Sequence, residues 1–179
     1  MRILKEKTSA IIIDFQERLF PVIYEKDKIE KNTQILIEGL NALDIPIIVT
    51  EQYKKGLGET IAPLSSLLKE ATFVDKITFS CCDESVFMEK IDSDKKFVIL
   101  AGVEAHICLL QTAIDLKEKG YQPVVIQDCI GSRTPENKQV AITRLIQEGV
   151  LISSTESILF ELCRAAGNDT FKTISKLIK

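Results

Sequence analysis

Histidine and clustered basic residues are both scarce in this sequence, and each absence excludes a class of function. With a single histidine, His106, and no cluster of cysteines at ligand spacing, the sequence predicts neither a protein-built metal site nor a cofactor. Lysine and arginine number 23 against 26 aspartates and glutamates, and the lysines are mixed with glutamates along the chain. The net charge is −3, so nucleic acid is not an expected partner.

Long hydrophobic runs are also missing. No apolar stretch approaches the roughly 20 residues that span a bilayer, and residues 1–7 contain no signal-peptide core. The sequence therefore predicts a cytoplasmic protein with no membrane partner. The odd number of cysteines and the lack of a CxxC pair favour reduced thiols over a disulfide framework. The five cysteines are Cys81, Cys82, Cys108, Cys129 and Cys163.

Short β-branched runs alternate along the chain with segments of helical periodicity. Extended segments are predicted at 9–15, 46–50, 97–101, 122–129 and 150–153, with a further one near 71–76. The main helices are predicted near 28–43, 83–90, 105–120, 136–148 and 171–178. This alternation is typical of βαβ units, so we predict a doubly wound α/β fold: a mostly parallel six-stranded sheet with helices on both faces. At 179 residues, the chain has the length of a single domain, residues 1–179.

One stretch, residues 96–113, is the part of the sequence around which the other segments are arranged. An apolar strand ends near Gly102, and helical spacing begins at Ala105, so Cys108 is predicted in the first turn of a helix that follows a buried strand. Backbone N–H groups and the helix dipole at such a position favour a thiolate. The alternative is a buried cysteine that acts only as a small apolar side chain.

Two charged residues are candidates for partners of that cysteine. In a doubly wound sheet the first and fourth strands are neighbours at the switch point, which would bring Asp14 towards Cys108. A carboxylate there can accept the thiol proton, and a lysine such as Lys76 can lower the pKa of the cysteine. Alternatively, Asp14 closes a turn and Lys76 is a solvated lysine.

Three segments in this order resemble the isochorismatase-like cysteine hydrolases. They are Asp14-Phe15-Gln16, Lys76 to Ser80, and Gly102 to Cys108, and the similarity runs over nearly the whole chain. Residues 50–58 and 171–172 are similar to the isochorismatase domain-containing proteins of animals and their microbial relatives. The resemblance implies a catalytic triad in which Cys108 attacks a carbon, Asp14 shuttles the proton and Lys76 holds anionic charge.

The resemblance also implies features around this triad. A cis peptide is expected between Val103 and Glu104, with the backbone N–H groups of Glu104 and Cys108 forming an oxyanion hole. Assembly into a homo-oligomer is expected as well. On a helix, His106 would point about 200° away from Cys108, which makes it a poor base. The residues predicted to line the substrate pocket are Gln16, Gln52, Tyr53 and Phe79.

Departures from better-known members narrow the expected chemistry. Nicotinamidases of this family hold a metal with an aspartate and two histidines, but residues 51–72 contain no histidine. True isochorismatases can lack the cysteine, so its presence at Cys108 favours covalent catalysis. We therefore predict a metal-independent hydrolase that cleaves a C–N bond of a small-molecule amide or ureide through a Cys108 acyl-enzyme. A non-catalytic binding or scaffold protein, or a redox-sensing thiol, remains the alternative.

Overall fold

Six parallel strands form one sheet in the computed structural model, which describes all residues 1–179. The spatial order is β3-β2-β1-β4-β5-β6, so the chain starts at the centre, winds to one edge and then winds to the other. This confirms the predicted doubly wound fold, and the sheet is entirely parallel. The strands are β1 Thr8–Ile13, β2 Ile47–Gln52, β3 Thr72–Lys76, β4 Phe97–Val103, β5 Gln122–Gly131 and β6 Leu151–Ser153.

Helices cover both faces of this sheet. They are α1 Lys26–Ala42, α2 Lys54–Leu57, α3 Ala62–Ser65, α4 Ser85–Lys90, α5 Leu110–Glu118, α6 Pro135–Gln147, α7 Thr155–Cys163 and α8 Asp169–Ile178. The segment α7 was not predicted, because its sequence is nearly continuously apolar from Ile158 and lacks the polar spacing that identifies a surface helix. None of the helices combines the length and the hydropathy needed to cross a membrane.

The central strand β1 is buried on both faces, as expected for a parallel sheet. Ile12 packs into a core with α1, α7 and α8, while Ile11 and Ile13 pack into a second core with α4, α5 and α6. Because a hydrophobic core packs against each face of the sheet, the strands and the residues at their ends are held in fixed positions.

The carboxyl ends of four strands meet at one edge of the sheet. Ile13 pairs with Thr50 of β2 and with Gly102 of β4, and Gln52 of β2 pairs with Lys76 of β3. The residue that follows Ile13 therefore lies at the switch point between β1 and β4, where open α/β sheets bind ligands.

We predict that Gly102→Ala destabilises the protein by roughly 2–3 kcal/mol in urea unfolding, because a methyl group there overpacks the junction of β1 and β4. A Cβ atom at Gly102 would lie 2.6 Å from the backbone oxygen of Ile13, which cannot move without shifting β1. Gly120→Ala is the control, since its Cβ would meet nothing within 4 Å and only its left-handed backbone would be strained. An equal loss for both variants would contradict the close approach of the two strands.

Candidate active site

Asp14 follows β1 directly and has a left-handed backbone conformation, with φ of 55°. Few residues other than glycine adopt this conformation, although aspartate tolerates it better than most. The N–H of Asp14 donates to the carbonyl oxygen of Thr50 at 3.1 Å, which extends the pairing between β1 and β2 by one residue. The turn leaves the Asp14 side chain fully buried at the switch point.

The buried carboxylate of Asp14 is ion-paired. The Nζ atom of Lys76 lies 2.7 Å from Asp14 Oδ2, and both side chains have no exposed surface. The Thr50 hydroxyl donates to Asp14 Oδ1 at 2.8 Å. Burial raises the pKa of Asp14 above its usual range, although Lys76 and Thr50 act against this, so the carboxylate is a stronger base than a solvated one.

The ammonium group of Lys76 is surrounded by oxygen atoms. It donates to Gln52 Oε1 at 2.6 Å, to the carbonyl oxygen of Thr78 at 3.2 Å and to that of Phe79 at 3.3 Å, in addition to its contact with Asp14. Burial is the largest single effect and acts to lower the pKa of Lys76. The negative charge of Asp14, with smaller contributions from Cys108, Cys81 and the hydrogen bond to Asp14, outweighs burial in sum, so the pKa is raised. The lysine is therefore a permanent cation rather than a proton donor.

The carbonyl groups that face Lys76 belong to residues 77–80, which we call the ammonium loop. Glu84, just before α4, shapes this loop: its Oε1 atom accepts from the N–H groups of Ile77 and Thr78 at 2.8 and 3.1 Å and from the Thr78 hydroxyl at 3.0 Å. These backbone donors hold the pKa of Glu84 below its usual range. Sequence reasoning missed Glu84, because nothing in a lone glutamate before a short helix indicates which N–H groups it will accept.

Cys108 lies in the first turn of the helix that follows β4, as predicted; this turn, Ala105–Leu109, is π-helical, and α5 begins at Leu110. The N–H groups of Ile107 and Leu109 both donate to the carbonyl oxygen of Glu104, at 3.0 and 3.4 Å. Turns of this kind are rare and occur frequently at functional sites.

The peptide bond between Val103 and Glu104 is cis, at the position that the family resemblance indicates.

The thiol of Cys108 is 5% exposed and lies beside the ion pair. Burial and the negative charge of Asp14 raise the pKa of Cys108 to about 12, and Lys76 offsets this only in part. The predicted preference for a thiolate is therefore wrong for the resting site. The positive charge of Lys76 does not overcome desolvation, so the sulfur needs a base to take its proton when it reacts.

The carboxylate of Glu104 is used to hold the loop after β5. Its Oε2 atom accepts from the N–H of Arg133 at 3.0 Å, and its Oε1 atom accepts from Nε and Nη2 of the same arginine at 3.0 and 2.8 Å. His106 is directed to the same loop, with Nδ1 2.9 Å from the hydroxyl oxygen of Ser132. The role of the Glu104 and Cys108 N–H groups as an oxyanion hole stays a prediction.

The structure gives different surroundings to the four residues that were predicted to line the pocket. Gln16 is buried and cannot line it, because its amide is committed to the backbone: it donates to Gln52 and Gly58 carbonyls at 3.0 and 2.7 Å and accepts the Gln52 N–H at 2.7 Å. Gln52 is bound to Lys76. Tyr53 and Phe79 are 55% and 56% exposed, on the surface beside the end of β3.

Glu51 fixes the loop that follows β2. Its Oε1 atom accepts from the N–H and the hydroxyl of Thr60 at 2.7 and 2.8 Å, and Oε2 is 2.8 Å from Lys54 Nζ. The same lysine is 3.4 Å from Glu59. No group of three or more histidine, cysteine, aspartate or glutamate side chains has a geometry that could hold a metal ion.

The sequence is similar to those of known proteins. A family model described as the isochorismatase domain matches residues 8–157. Isochorismatase domain-containing protein 2 of Danio rerio is 38% identical over 178 residues, which are 98% of this chain and 89% of that protein.

Two solved structures share the architecture. The structure of MAR1 ribonuclease from Caenorhabditis elegans has a TM-score of 0.94 at 33% sequence identity, and the match covers 99% of this chain and 92% of that chain. The YcaC gene product of Escherichia coli, described as an octameric hydrolase of unknown specificity, has a TM-score of 0.94 and covers 99% of this chain and 89% of its own. At 23% identity, this second likeness shows the fold alone.

We predict that Glu84→Ala loosens the ammonium loop and lowers the free energy of unfolding by about 1–2 kcal/mol, since the N–H groups of Ile77 and Thr78 lose their acceptor. The Thr78 hydroxyl can still donate to the Ser80 carbonyl oxygen at 2.8 Å. Glu84→Gln is the matched control, because its amide oxygen can still accept from Ile77 and Thr78. Urea unfolding and hydrogen exchange of residues 77–80 measure the effect. Equal behaviour of the alanine and glutamine variants would show that Glu84 does not shape the loop.

The raised pKa of Cys108 leads to a pH prediction. Below that pKa only a small thiolate fraction exists, so alkylation by iodoacetamide should rise about tenfold per pH unit from about pH 7 to about pH 9. Peptide mass spectrometry resolves Cys108 from the other cysteines. A plateau below about pH 8 would show instead that a base within the site takes the thiol proton, either before or during alkylation.

Proposed function

This chain belongs to the isochorismatase family, and from its buried Asp14–Lys76 pair beside Cys108 we propose a cysteine hydrolase that cleaves a C–N bond of a small amide or ureide. The observation that carries the proposal is the buried ion pair of Asp14 and Lys76, with closest atoms 2.7 Å apart, beside the buried thiol of Cys108. Burial raises the pKa of both Asp14 and Cys108, which favours a carboxylate that can accept the thiol proton. Asp14 Oδ2 has no hydrogen-bond partner beyond its ion contact with Lys76, so it has a lone pair available for a proton. A thiol that cannot ionise alone becomes a nucleophile when such a base accepts its proton during attack.

In the first half of the reaction, the sulfur of Cys108 attacks the carbonyl carbon as its proton moves to Asp14. The negative charge then lies on the substrate oxygen, where the N–H groups of Glu104 and Cys108 are proposed to stabilise it. Donors that act on such an oxyanion typically contribute a factor of roughly a hundred or more to the rate.

In the second half, the protonated Asp14 returns its proton to the leaving nitrogen. The C–N bond breaks, the amine or ammonia departs, and the acyl group remains on Cys108 as a thioester. Water then attacks this thioester with Asp14 again accepting a proton, and the thiol and the carboxylic acid are released. Lys76 keeps its proton throughout and holds Asp14 in position.

The C. elegans relative is named a ribonuclease, but RNA is not favoured as the substrate of this chain. The net charge is −3, and RNA binding relies on basic surfaces that contact phosphates. The triad is buried, with Asp14 and the Lys76 side chain having no exposed surface, which suits a small molecule better than a polymer. Assembly into a homo-oligomer stays a prediction from the family resemblance.

We expect Cys108→Ala to lower the hydrolysis of small amides and ureides by at least roughly a thousandfold, because the nucleophile is lost. Ammonia release from a substrate panel measures the rate, and mass spectrometry of quenched reactions should detect an acyl group on the Cys108 peptide. Cys163→Ala is the control, since Cys163 lies at the end of α7, in the core on the opposite face of the sheet from Cys108. Activity that survives in the Cys108 variant, or that is equal in both variants, would refute covalent catalysis.

A further inference from the structure

The charges around the triad cancel within the buried site itself. Asp14 contributes one negative charge and Lys76 one positive charge, their closest atoms are 2.7 Å apart, and neither side chain is exposed. The neighbouring thiols are neutral, because burial raises the pKa of Cys108 to about 12 and that of Cys81 to about 11. The interior of the site therefore has no net charge before a substrate enters.

Lys76 has no donor left with which to bind an anionic substrate group. An ammonium has three N–H bonds, and the Lys76 group already faces four oxygen acceptors, on Asp14, Gln52, Thr78 and Phe79. A substrate carboxylate would have to displace one of these acceptors. Two of them are carbonyls of the ammonium loop, which Glu84 holds in place through its own hydrogen bonds.

The other charges at this end of the sheet are also paired or at the surface. Lys54 is bound to Glu51 and Glu59, and Arg133 is bound to the carboxylate of Glu104. Two further cations, Arg18 and Lys55, are exposed, and the guanidinium of Arg18 donates to the Gly56 carbonyl. Lys55 lines a surface cavity whose other charged residues are Lys54, Lys76, Asp75 and Glu84. Solvent and salt screen such exposed charges.

We propose that this site selects uncharged acyl substrates and rejects substrates that carry a carboxylate or another anionic group next to the scissile carbonyl. The inference rests on the proposed cysteine hydrolase function and narrows it to neutral amides and ureides. An anionic substrate would leave one uncompensated negative charge in a buried site, beside the carboxylate of Asp14, and such a charge is costly in a medium of low dielectric constant.

A neutral substrate keeps the site balanced through the reaction. Before attack, the charges are the carboxylate of Asp14 and the ammonium of Lys76. After attack, the proton of Cys108 is on Asp14, the sulfur–carbon bond has formed, and the electron pair of the carbonyl π bond is on the substrate oxygen. The oxyanion has then replaced the carboxylate as the partner charge of Lys76, so the sum stays zero.

Two alkylating agents test this selection directly, because iodoacetamide and iodoacetate have nearly the same size and differ in charge. In both reactions the sulfur of Cys108 forms a bond to the CH₂ carbon, iodide leaves, and the thiol proton is lost to Asp14 or to solvent. Rates are measured on the folded full-length chain and on the same chain in urea, with Cys108 resolved by peptide mass spectrometry. The urea ratio gives the intrinsic preference of the thiol.

We expect the ratio of the iodoacetamide rate to the iodoacetate rate at Cys108 to be at least about tenfold higher in the folded protein than in urea. Two variants should move this ratio in opposite directions. Asp14→Asn leaves the Lys76 ammonium uncompensated and should lower the ratio, whereas Lys76→Met leaves the Asp14 carboxylate uncompensated and should raise it. The wild-type ratio decides the question even where a variant fails to fold.

The outcomes separate this inference from the function on which it rests. Equal ratios in folded and unfolded protein, or a folded preference for iodoacetate, would overturn the selection of neutral substrates and leave a reactive Cys108 intact. A Cys108 that reacts with neither reagent in the folded protein would overturn the proposed hydrolase function, and the selection of neutral substrates with it.

Discussion

The ion pair between Asp14 and Lys76 is the interaction on which the site depends. It joins the ends of β1 and β3 across β2, and Thr50 and Gln52 of β2 each bind one member of the pair. Burying two charges is costly, and such a pair persists where additional hydrogen bonds satisfy it, as they do here. Removing one partner from a buried pair typically costs about 3–5 kcal/mol, because the other charge is left uncompensated. The same contact therefore supports the strand ends and sets the basicity of Asp14.

Much of the architecture follows from the sequence, because parallel strands buried on both faces are continuous β-branched runs. The rule that strand ends meet at the switch point was sufficient to bring Asp14 and Cys108 together. The state of the thiol was predicted wrongly, since the balance between desolvation, a carboxylate and a lysine depends on distances that a sequence does not contain. The roles of Gln16 and Glu84 were missed for a related reason: both accept or donate to backbone groups, and backbone partners have no sequence signature.

In the proposed reaction, the proton of Cys108 moves to Asp14 during attack, and the sulfur carries no charge before the substrate binds. A resting thiolate would add a third charge to a buried site that already holds the charges of Asp14 and Lys76. A neutral thiol leaves this ion pair unchanged until a substrate carbonyl group binds. The raised pKa of Cys108 is in this sense consistent with a nucleophile and not an argument against one. It also protects the sulfur, because oxidation proceeds through the thiolate.

Lys76 lies on β3, and β3 is an edge strand that pairs only with β2. The central strands that hold Asp14 and Cys108 are paired on both sides, so they belong to the part of the molecule that opens last. Edge strands exchange their amide hydrogens sooner, because fewer bonds must break to release them. Lys76 therefore lies in a less stable part of the sheet than Asp14 and Cys108. Local opening of β3 would remove Lys76 from the site while both hydrophobic cores stay folded.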